Sequence, residues 1–147
     1  SLAFKQDTRV VVETFIKGRE LTVGLLDHAP LPVVEMTPTS DFYDYEAKYH
    51  RDDTSYLCPA PLSSSEAQTL QELAVRVERT LELDHLSRVD ILLGADGPMV
   101  LEVNTIPGFT PHSLLPMAAN AAGIGFTELC TRILQMGLRR GTVQKDC

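Results

Sequence analysis

The sequence predicts an α+β fold, in which a mainly antiparallel sheet of about five or six strands carries helices on one face. The first observation is the segment 87–108, where two apolar, β-branched runs flank the turn-forming pair Asp96-Gly97 and predict a β-hairpin. The second is a set of similar short runs at 10–16, 21–26 and 31–36, which predict further strands. The third is helical periodicity before and after the hairpin.

The helix before the hairpin has a clear start signal, because Ser63 is followed three residues later by Glu66 in a capping box. Its apolar side chains form one stripe at helical spacing: Ala67, Leu70, Leu73, Ala74, Val77 and Leu81. Its charged side chains are expected to face water: Glu72, Arg76, Glu78 and Arg79. We expect this helix to cover the apolar face of the hairpin.

Two more helices are predicted after the hairpin. Ser113 is placed to cap a helix that runs to Gly123. The segment 126–138 predicts a closing amphipathic helix, with Glu128 available as a partner to its cap. The inward side chains of that helix would be Phe126, Leu129, Cys130, Ile133 and Leu134.

The predicted hairpin has one apolar and one polar face. Because side chains alternate along a strand, the apolar face would hold Val89, Ile91, Leu93, Met99, Leu101 and Val103. The polar set on the other face is Arg88, Asp90, Glu102 and Asn104, and it shares a face only if the loop has an odd number of residues. We therefore predict a loop at 96–98 that pairs Asp90 with Asn104 and gives Gly97 a positive φ.

The polar face has the composition of a metal and anion site. Asp90, Glu102 and Asn104 offer hard oxygen ligands of the kind that Mg²⁺ or Mn²⁺ prefers. Arg88 beside them offers a planar fork for phosphate or carboxylate. Together these groups favour phosphoryl transfer.

Composition excludes several other functions. The net charge of −7 argues against a nucleic-acid surface, which requires clustered Lys and Arg. Cys58, Cys130 and Cys147 have no metal-type spacing and are typical of free thiols in a reducing compartment. No leader and no apolar run of roughly 18 residues is visible, so we expect a cytoplasmic protein without membrane contact. Because the chain starts at Ser1 rather than Met, we also expect it to be a piece of a longer enzyme.

Four stretches carry a family resemblance. Arg88-Val89-Asp90, the run 102–110 (Glu-Val-Asn-Thr-Ile-Pro-Gly-Phe-Thr) and His112-Ser113-Leu114 resemble the carboxy-terminal signature of D-alanine:D-alanine ligases, of the ATP-grasp superfamily. The tyrosine-rich run 42–49 resembles the mobile loop of the same family. The resemblance implies that residues 1–147 are the carboxy-terminal part of an ATP-grasp domain, without the amino-terminal domain and the upstream ATP-binding half. The isolated chain would then be inactive, and the full-length enzyme a homodimer.

The resemblance also implies roles for individual residues. Glu13, Phe15 and Ile16 would contact adenine and Glu20 the ribose, although solvent-facing strand residues would explain these glutamates equally well from sequence alone. Asp90, Glu102 and Asn104 would hold two Mg²⁺ or Mn²⁺ ions. Catalytic groups would be Arg88, Tyr49 and the Gly108 backbone, while Lys48, Ser113 and Leu114 would bind the second substrate. A solvated loop with locally packed tyrosines is the alternative for Lys48 and Tyr49, and a simple helix cap is the alternative for Ser113.

The function that the resemblance implies is ATP-dependent joining of two D-alanine molecules through a D-alanyl phosphate, which supplies D-alanyl-D-alanine for peptidoglycan. One alternative is another ATP-grasp carboxylate–amine ligase that uses a different amino acid. A second is a non-catalytic acidic domain for protein contact, in which Asp90 and Glu102 would not converge.

Overall fold

The computed structural model describes residues 2–38 and 54–143. Within these ranges one antiparallel sheet contains six strands: β1 (Gly18–Leu26), β2 (Ala29–Pro30), β3 (Val34–Pro38), β4 (Thr54–Leu57), β5 (Leu86–Gly94) and β6 (Gly97–Asn104). The helices are α1 (Ser64–Thr80), α2 (Leu114–Ala121) and α3 (Phe126–Val143), with a short 3₁₀ helix at Ala3–Lys5. The strand order is β4-β3-β1-β5-β6, and β2 pairs with β1. The α+β architecture with an antiparallel sheet is thus confirmed.

Helices cover both faces of the sheet, so the prediction of helices on one face is wrong. All six residues from Leu21 to Leu26 of β1 are buried, and a strand buried on both sides needs cover on both sides. On one face, Leu70 and Ala74 of α1 pack into a core with alternate residues of β1 and β5. On the other face, α2 and α3 build a second core around Leu26, Leu31 and Val34.

The amino-terminal segment differs from prediction. Residues 10–16 form no strand in the described chain, and Val11, Val12 and Phe15 are more than 80% exposed. β-Branched composition alone does not produce a strand, because a strand needs a hydrogen-bonding neighbour. The strand predicted at 21–26 is confirmed as β1, and that predicted at 31–36 begins only at Val34.

Helix α1 confirms the predicted start. Ser63 is the N-cap, the Glu66 amide donates to the Ser63 hydroxyl, and the Glu66 carboxylate accepts from the Ser63 amide. Leu70 and Ala74 are buried against Val89 and Ile91, so the helix does cover the apolar face of the hairpin.

Two α1 residues lie elsewhere than periodicity predicts. Leu81 is the C-cap and is half exposed, because the helix ends at Thr80. Glu78 is fully buried rather than facing water. Its carboxylate accepts from the Ser87 hydroxyl at 3.1 Å and lies 3.0 Å from His28 Nδ1. These two polar partners offset the cost of removing the carboxylate from water.

The two later helices are present, with differences in detail. Ser113 has N-cap backbone geometry but makes no side-chain cap bond; its hydroxyl instead accepts from the Thr110 amide at 3.0 Å. Over residues 126–139 of α3 the fully buried side chains are Leu129 and Met136, while Leu134 is 64% exposed and its predicted inward position is wrong. Leu129, Ile133 and Met136 share the inward face at i, i+4 and i+7, whereas Leu134 lies one position further around the helix.

The hairpin loop is shorter than predicted. Gly94 pairs with Gly97, so the loop is Ala95–Asp96 rather than 96–98. The positive φ at Gly97 is confirmed at 112°. A Cβ at Gly97 would meet nothing within 4 Å, so the need for glycine there comes from the backbone angle alone.

An ion pair connects β1 with β3, and one of its residues also contacts the segment just before α1. Arg19 on β1 donates through Nε and Nη2 to the two Glu35 carboxylate oxygens on β3, both at 2.7 Å, and Nη2 also donates to the Pro61 carbonyl. These hydrogen bonds from Arg19 lower the pKa of Glu35 below its usual value, against the opposing effect of burial.

We expect Glu35→Gln to destabilise the fold at neutral pH by about 1 kcal/mol, since Arg19 is partly exposed and its pairing is screened by water. Because the pKa of Glu35 is depressed in the folded state, its contribution is complete above about pH 4.3 and is lost as pH falls through the folded value. Urea unfolding at pH 7 and pH 3 should therefore show a gap between wild type and variant that closes at low pH. Glu128→Gln, which removes an exposed pair on α3, is the control and should cost no more than about 0.5 kcal/mol. An unchanged gap at both pH values would contradict this account.

We expect Gly97→Ala to destabilise the fold by about 1–2 kcal/mol, because alanine is strained at positive φ. Gly137→Ala is the matched control: it lies within α3, meets nothing within 4 Å, and should stabilise by about 0.5–1 kcal/mol. Opposite signs in thermal unfolding would support the assigned backbone conformations, and equal effects would refute them.

Candidate active site

A β-bulge decides which side chains meet at the end of the hairpin farthest from its turn. Between Asp90 and Ile91 the register shifts: Ile91 pairs with Val100, whereas Asp90 pairs with Glu102, so Leu101 is an extra residue on β6. A two-residue loop without this bulge would place Asp90 opposite Leu101. The bulge therefore does what the predicted odd loop was meant to do, and Asp90 pairs with Glu102 instead of Asn104.

The same bulge changes the apolar face. Val100 and Val103 pack against the α1 core, whereas Met99 and Leu101 are about half exposed, so the predicted inward positions of Met99 and Leu101 are wrong. The polar face holds the predicted set, because Arg88 pairs with Asn104 and Asp90 with Glu102 across the strands.

Asp90 is the centre of the polar face. It is only 6% exposed. Arg88 donates to it through Nε (2.9 Å to Oδ1) and Nη2 (2.8 Å to Oδ2), a bidentate pair. Asn104 Nδ2 donates to Oδ2 at 3.1 Å, and the same nitrogen lies 3.4 Å from Glu102 Oε1. Four residues predicted from sequence are thus brought together.

The Arg88 guanidinium is held in this position mainly by Asp90. Hydrogen bonding to Asp90 raises the pKa of Arg88 further above its usual value, with smaller contributions from the charges of Asp90 and Glu102. Burial of the side chain acts in the opposite direction, so Arg88 keeps its positive charge because the two carboxylates lie next to it.

Thr22 completes the site, and sequence reasoning missed it. It lies on β1 as the Cα partner of Asp90, is 1% exposed, and its hydroxyl donates to Asp90 Oδ1 at 2.6 Å. No local pattern marks Thr22, because its role depends on the pairing of β1 with β5, in which Thr22 and Asp90 are 68 positions apart in the chain. A register match across the two apolar runs is the signal that could have found it.

Of the four predicted nucleotide-binding residues, Glu20 lies in the sheet and the other three precede it in the chain. Glu20 is two residues from Thr22 on β1 and therefore shares its face. Glu13, Phe15 and Ile16 lie in the segment before β1, which has no regular secondary structure; Glu13 and Phe15 are exposed and Ile16 is half-buried. Ile16 approaches the hairpin turn so closely that a Cβ on Gly94 would lie 2.9 Å from its Cγ2.

The predicted second-substrate residues form a separate group after β6. The exposed Gly108 lies against Ser113, since a Cβ there would meet the Ser113 hydroxyl at 3.2 Å. Leu114 packs partly into the α2–α3 core. Lys48 and Tyr49 fall outside the described residues, so their predicted positions stay predictions.

The donor set at Asp90 fits a divalent cation with few protein ligands. Two carboxylates and an amide oxygen, on neighbouring strand positions, are the oxygen ligands that Mg²⁺ takes alongside substrate phosphates. Over residues 2–38 and 54–143 there is no group of three or more His, Cys, Asp and Glu side chains arranged to hold a metal. The candidate set therefore depends on Asn104 as its third member, and in this structure its amide nitrogen rather than its oxygen faces the two carboxylates.

Comparison with known proteins defines the class to which this fold and site belong. A family model described as "D-ala D-ala ligase C-terminus" matches residues 1–135. The chain belongs to this family, and the resemblance predicted from its motifs is confirmed.

Two curated relatives with the same name match most of this chain. The chain is 50% identical over 132 residues to the D-alanine–D-alanine ligase of Syntrophotalea carbinolica, covering 90% of this chain and 43% of that protein. It is 46% identical over 143 residues to the ligase of the same name from Methylacidiphilum infernorum, covering 94% of this chain and 47% of that protein. The chain thus spans somewhat less than half the length of these relatives.

Solved structures of ligases support the same family assignment. The D-alanine–D-alanine ligase of Bacillus anthracis matches with a TM-score of 0.83 and 33% identity over 97% of this chain and 47% of that one. The same enzyme complexed with ATP matches with a TM-score of 0.76 and 32% identity, over 90% and 43%. The VanG D-Ala:D-Ser ligase of Enterococcus faecalis matches with a TM-score of 0.79 and 33% identity, over 92% and 40%. Among the helices described here, none has the length and apolar character needed to cross a bilayer.

Deleting a residue from a strand usually disrupts its pairing, but the bulge makes Leu101 an exception. Removing Leu101 leaves Glu102 opposite Asp90 in an uninterrupted ladder, so we expect a loss of only about 1 kcal/mol in the free energy of unfolding. Removing Leu92 from the regular strand β5 shifts Asp90 away from Thr22 toward the α1 core and should cost more than about 3 kcal/mol. Equal losses for the two deletions in urea unfolding would show that the bulge is not where the register places it.

Proposed function

We propose that this chain is the carboxy-terminal part of an ATP-dependent ligase that joins two D-alanine molecules. The observation that carries the proposal is the convergence of Arg88, Asp90, Glu102 and Asn104 on one face of the sheet, in a chain of this family. The reaction would form a D-alanyl phosphate, whose carbonyl is then attacked by the amine of the second D-alanine. Its product would serve peptidoglycan synthesis.

Asp90, Glu102 and Asn104 would hold Mg²⁺ or Mn²⁺, with two ions expected. The metal would offset negative charge on the nucleotide phosphates as the phosphoryl group transfers. The residues support this role because Asp90 and Glu102 are cross-strand partners and the Asn104 amide reaches both carboxylates.

Arg88 would contact the transferring phosphoryl group. Its guanidinium already makes a bidentate pair with a carboxylate, and the same fork fits two oxygens of a phosphate. Its raised pKa keeps it cationic at all physiological pH values, so it would stabilise developing negative charge without any proton transfer.

The nucleotide would lie along the sheet face beyond Asp90. Glu20 on that face would bind the ribose hydroxyls, while Glu13, Phe15 and Ile16 would contact adenine. The strong exposure of Phe15 supports this role, because an aromatic side chain left in water is available to a ligand or another domain.

The second D-alanine would bind near the start of α2. The Ser113 hydroxyl and the Leu114 amide would hold its carboxylate at the helix amino terminus, and the Gly108 amide would stabilise the oxyanion. The close approach of Gly108 to Ser113 supports a shared pocket. Lys48 and Tyr49 would position the amine from the neighbouring loop.

A second candidate differs only in the second substrate. Similarity to the D-Ala:D-Ser ligase of Enterococcus faecalis makes D-serine the amino acid to test against D-alanine. The identities of 46–50% to curated D-alanine–D-alanine ligases favour D-alanine. A non-catalytic acidic domain is disfavoured, because its carboxylates were not expected to meet. Cytoplasmic location and homodimer formation remain predictions.

The test is Mg²⁺-dependent release of ADP by the full-length protein that carries this chain, supplied in parallel with D-alanine, D-serine, L-alanine or no amino acid. We expect release with D-alanine and none with L-alanine. Asp90→Asn should lower kcat/KM by at least about 100-fold. Asp96→Asn, the same change at the exposed hairpin turn, is the matched control and should leave it within about two-fold.

Release of ADP with D-serine but not D-alanine would transfer the assignment to the second candidate. Release with L-alanine alone, or no amino-acid-dependent release, would overturn the D-alanine assignment. Equal activity of the Asp90→Asn and Asp96→Asn proteins would remove Asp90 from the site.

A further inference from the structure

The buried hydroxyl of Thr22 makes a contact that packing alone does not require. Its oxygen lies 2.6 Å from Asp90 Oδ1, within the short range of hydroxyl–carboxylate bonds, and 3.2 Å from the Val89 carbonyl. A hydroxyl has one hydrogen to donate, and the shorter, charged acceptor takes it. Thr22 therefore donates to Asp90.

Thr22 differs from the other donors to Asp90 in that its hydroxyl is buried, and the Val89 carbonyl at 3.2 Å is the other acceptor that the structure describes for it. Arg88 and Asn104 are both partly accessible, and under the proposed function both turn to phosphate or metal. Thr22 is 1% exposed on the central strand, so its side chain has no solvent-side conformation available. It is the one of these donors that stays on Asp90 when the site is loaded.

We propose that Thr22 is a positioning residue for the metal site: it holds Asp90 Oδ1 from β1 and thereby presents Oδ2, the oxygen on the Asn104 side, to the cation. This inference rests on the proposed function. Residues that orient a metal ligand in this way commonly contribute 10–100-fold to metal affinity, as an order of magnitude.

The test uses the full-length protein saturated with a non-hydrolysable ATP analogue and titrated with Mn²⁺, with free Mn²⁺ measured by electron paramagnetic resonance. Thr22→Val keeps the side-chain shape and removes the hydroxyl, and should raise the Mn²⁺ dissociation constant about 10-fold. Thr22→Ser keeps the hydroxyl and should stay within about three-fold of wild type. Affinity for the analogue without metal should be unchanged in both, and thermal unfolding reports separately on folding.

Asp90→Asn in the same assay distinguishes a failure of the role proposed for Thr22 from a failure of the proposed function. If Asp90→Asn and Thr22→Val both weaken Mn²⁺ binding while Thr22→Ser does not, the positioning role stands. If only Asp90→Asn weakens it, the role of Thr22 is overturned and the proposed function survives. If neither does, both fall. Should Thr22→Val unfold below the assay temperature, Thr22→Ala is compared with Thr22→Ser at a lower temperature. Weaker Mn²⁺ binding by Thr22→Ala alone then supports the positioning role, and equal binding by the two variants overturns it.

Discussion

The interaction on which this site depends is the solvation of one buried carboxylate. Asp90 is almost covered, and a covered negative charge persists only where hydrogen-bond donors replace water. The donors come from three adjacent strands: Thr22 from β1, Arg88 from β5 and Asn104 from β6. The sheet must therefore hold all three strands in one register for the charge to be tolerated, and the same register brings Glu102 alongside.

The two-layer cover of the sheet explains where the site is placed. α1 seals one face with Leu70 and Ala74, and α2 with α3 seals the other as far as Gly24, where a Cβ would already meet Leu115. Thr22 is the next residue of β1 on that second face, and beyond it Glu20 is only half-buried. The site lies where the helical cover ends, so its inner side is dry and its outer side is open to a ligand. Electrostatic interactions are stronger in such a setting than in water.

Local patterns were reliable where the physical cause is local. The capping box at Ser63, the positive φ of Gly97 and the central strand β1 all follow from neighbouring residues, and all are present. The errors share a different cause. Glu78 is buried because His28 and Ser87 reach it from distant elements, and residues 10–16 form no strand because a strand requires a partner that composition does not supply.

The sequence by itself determined the class of the protein and most members of its candidate site. Asp90, Glu102 and Asn104 were identifiable because their oxygen-bearing side chains are of the type that hard cations prefer and because the motif keeps them together in the chain. Only the tertiary structure decided how they meet. A bulge at Leu101, rather than a longer turn, brings Glu102 opposite Asp90, and the pairing of β1 with β5 places Thr22 beside Asp90. Register is a property of two strands at once, so neither strand's sequence contains it alone.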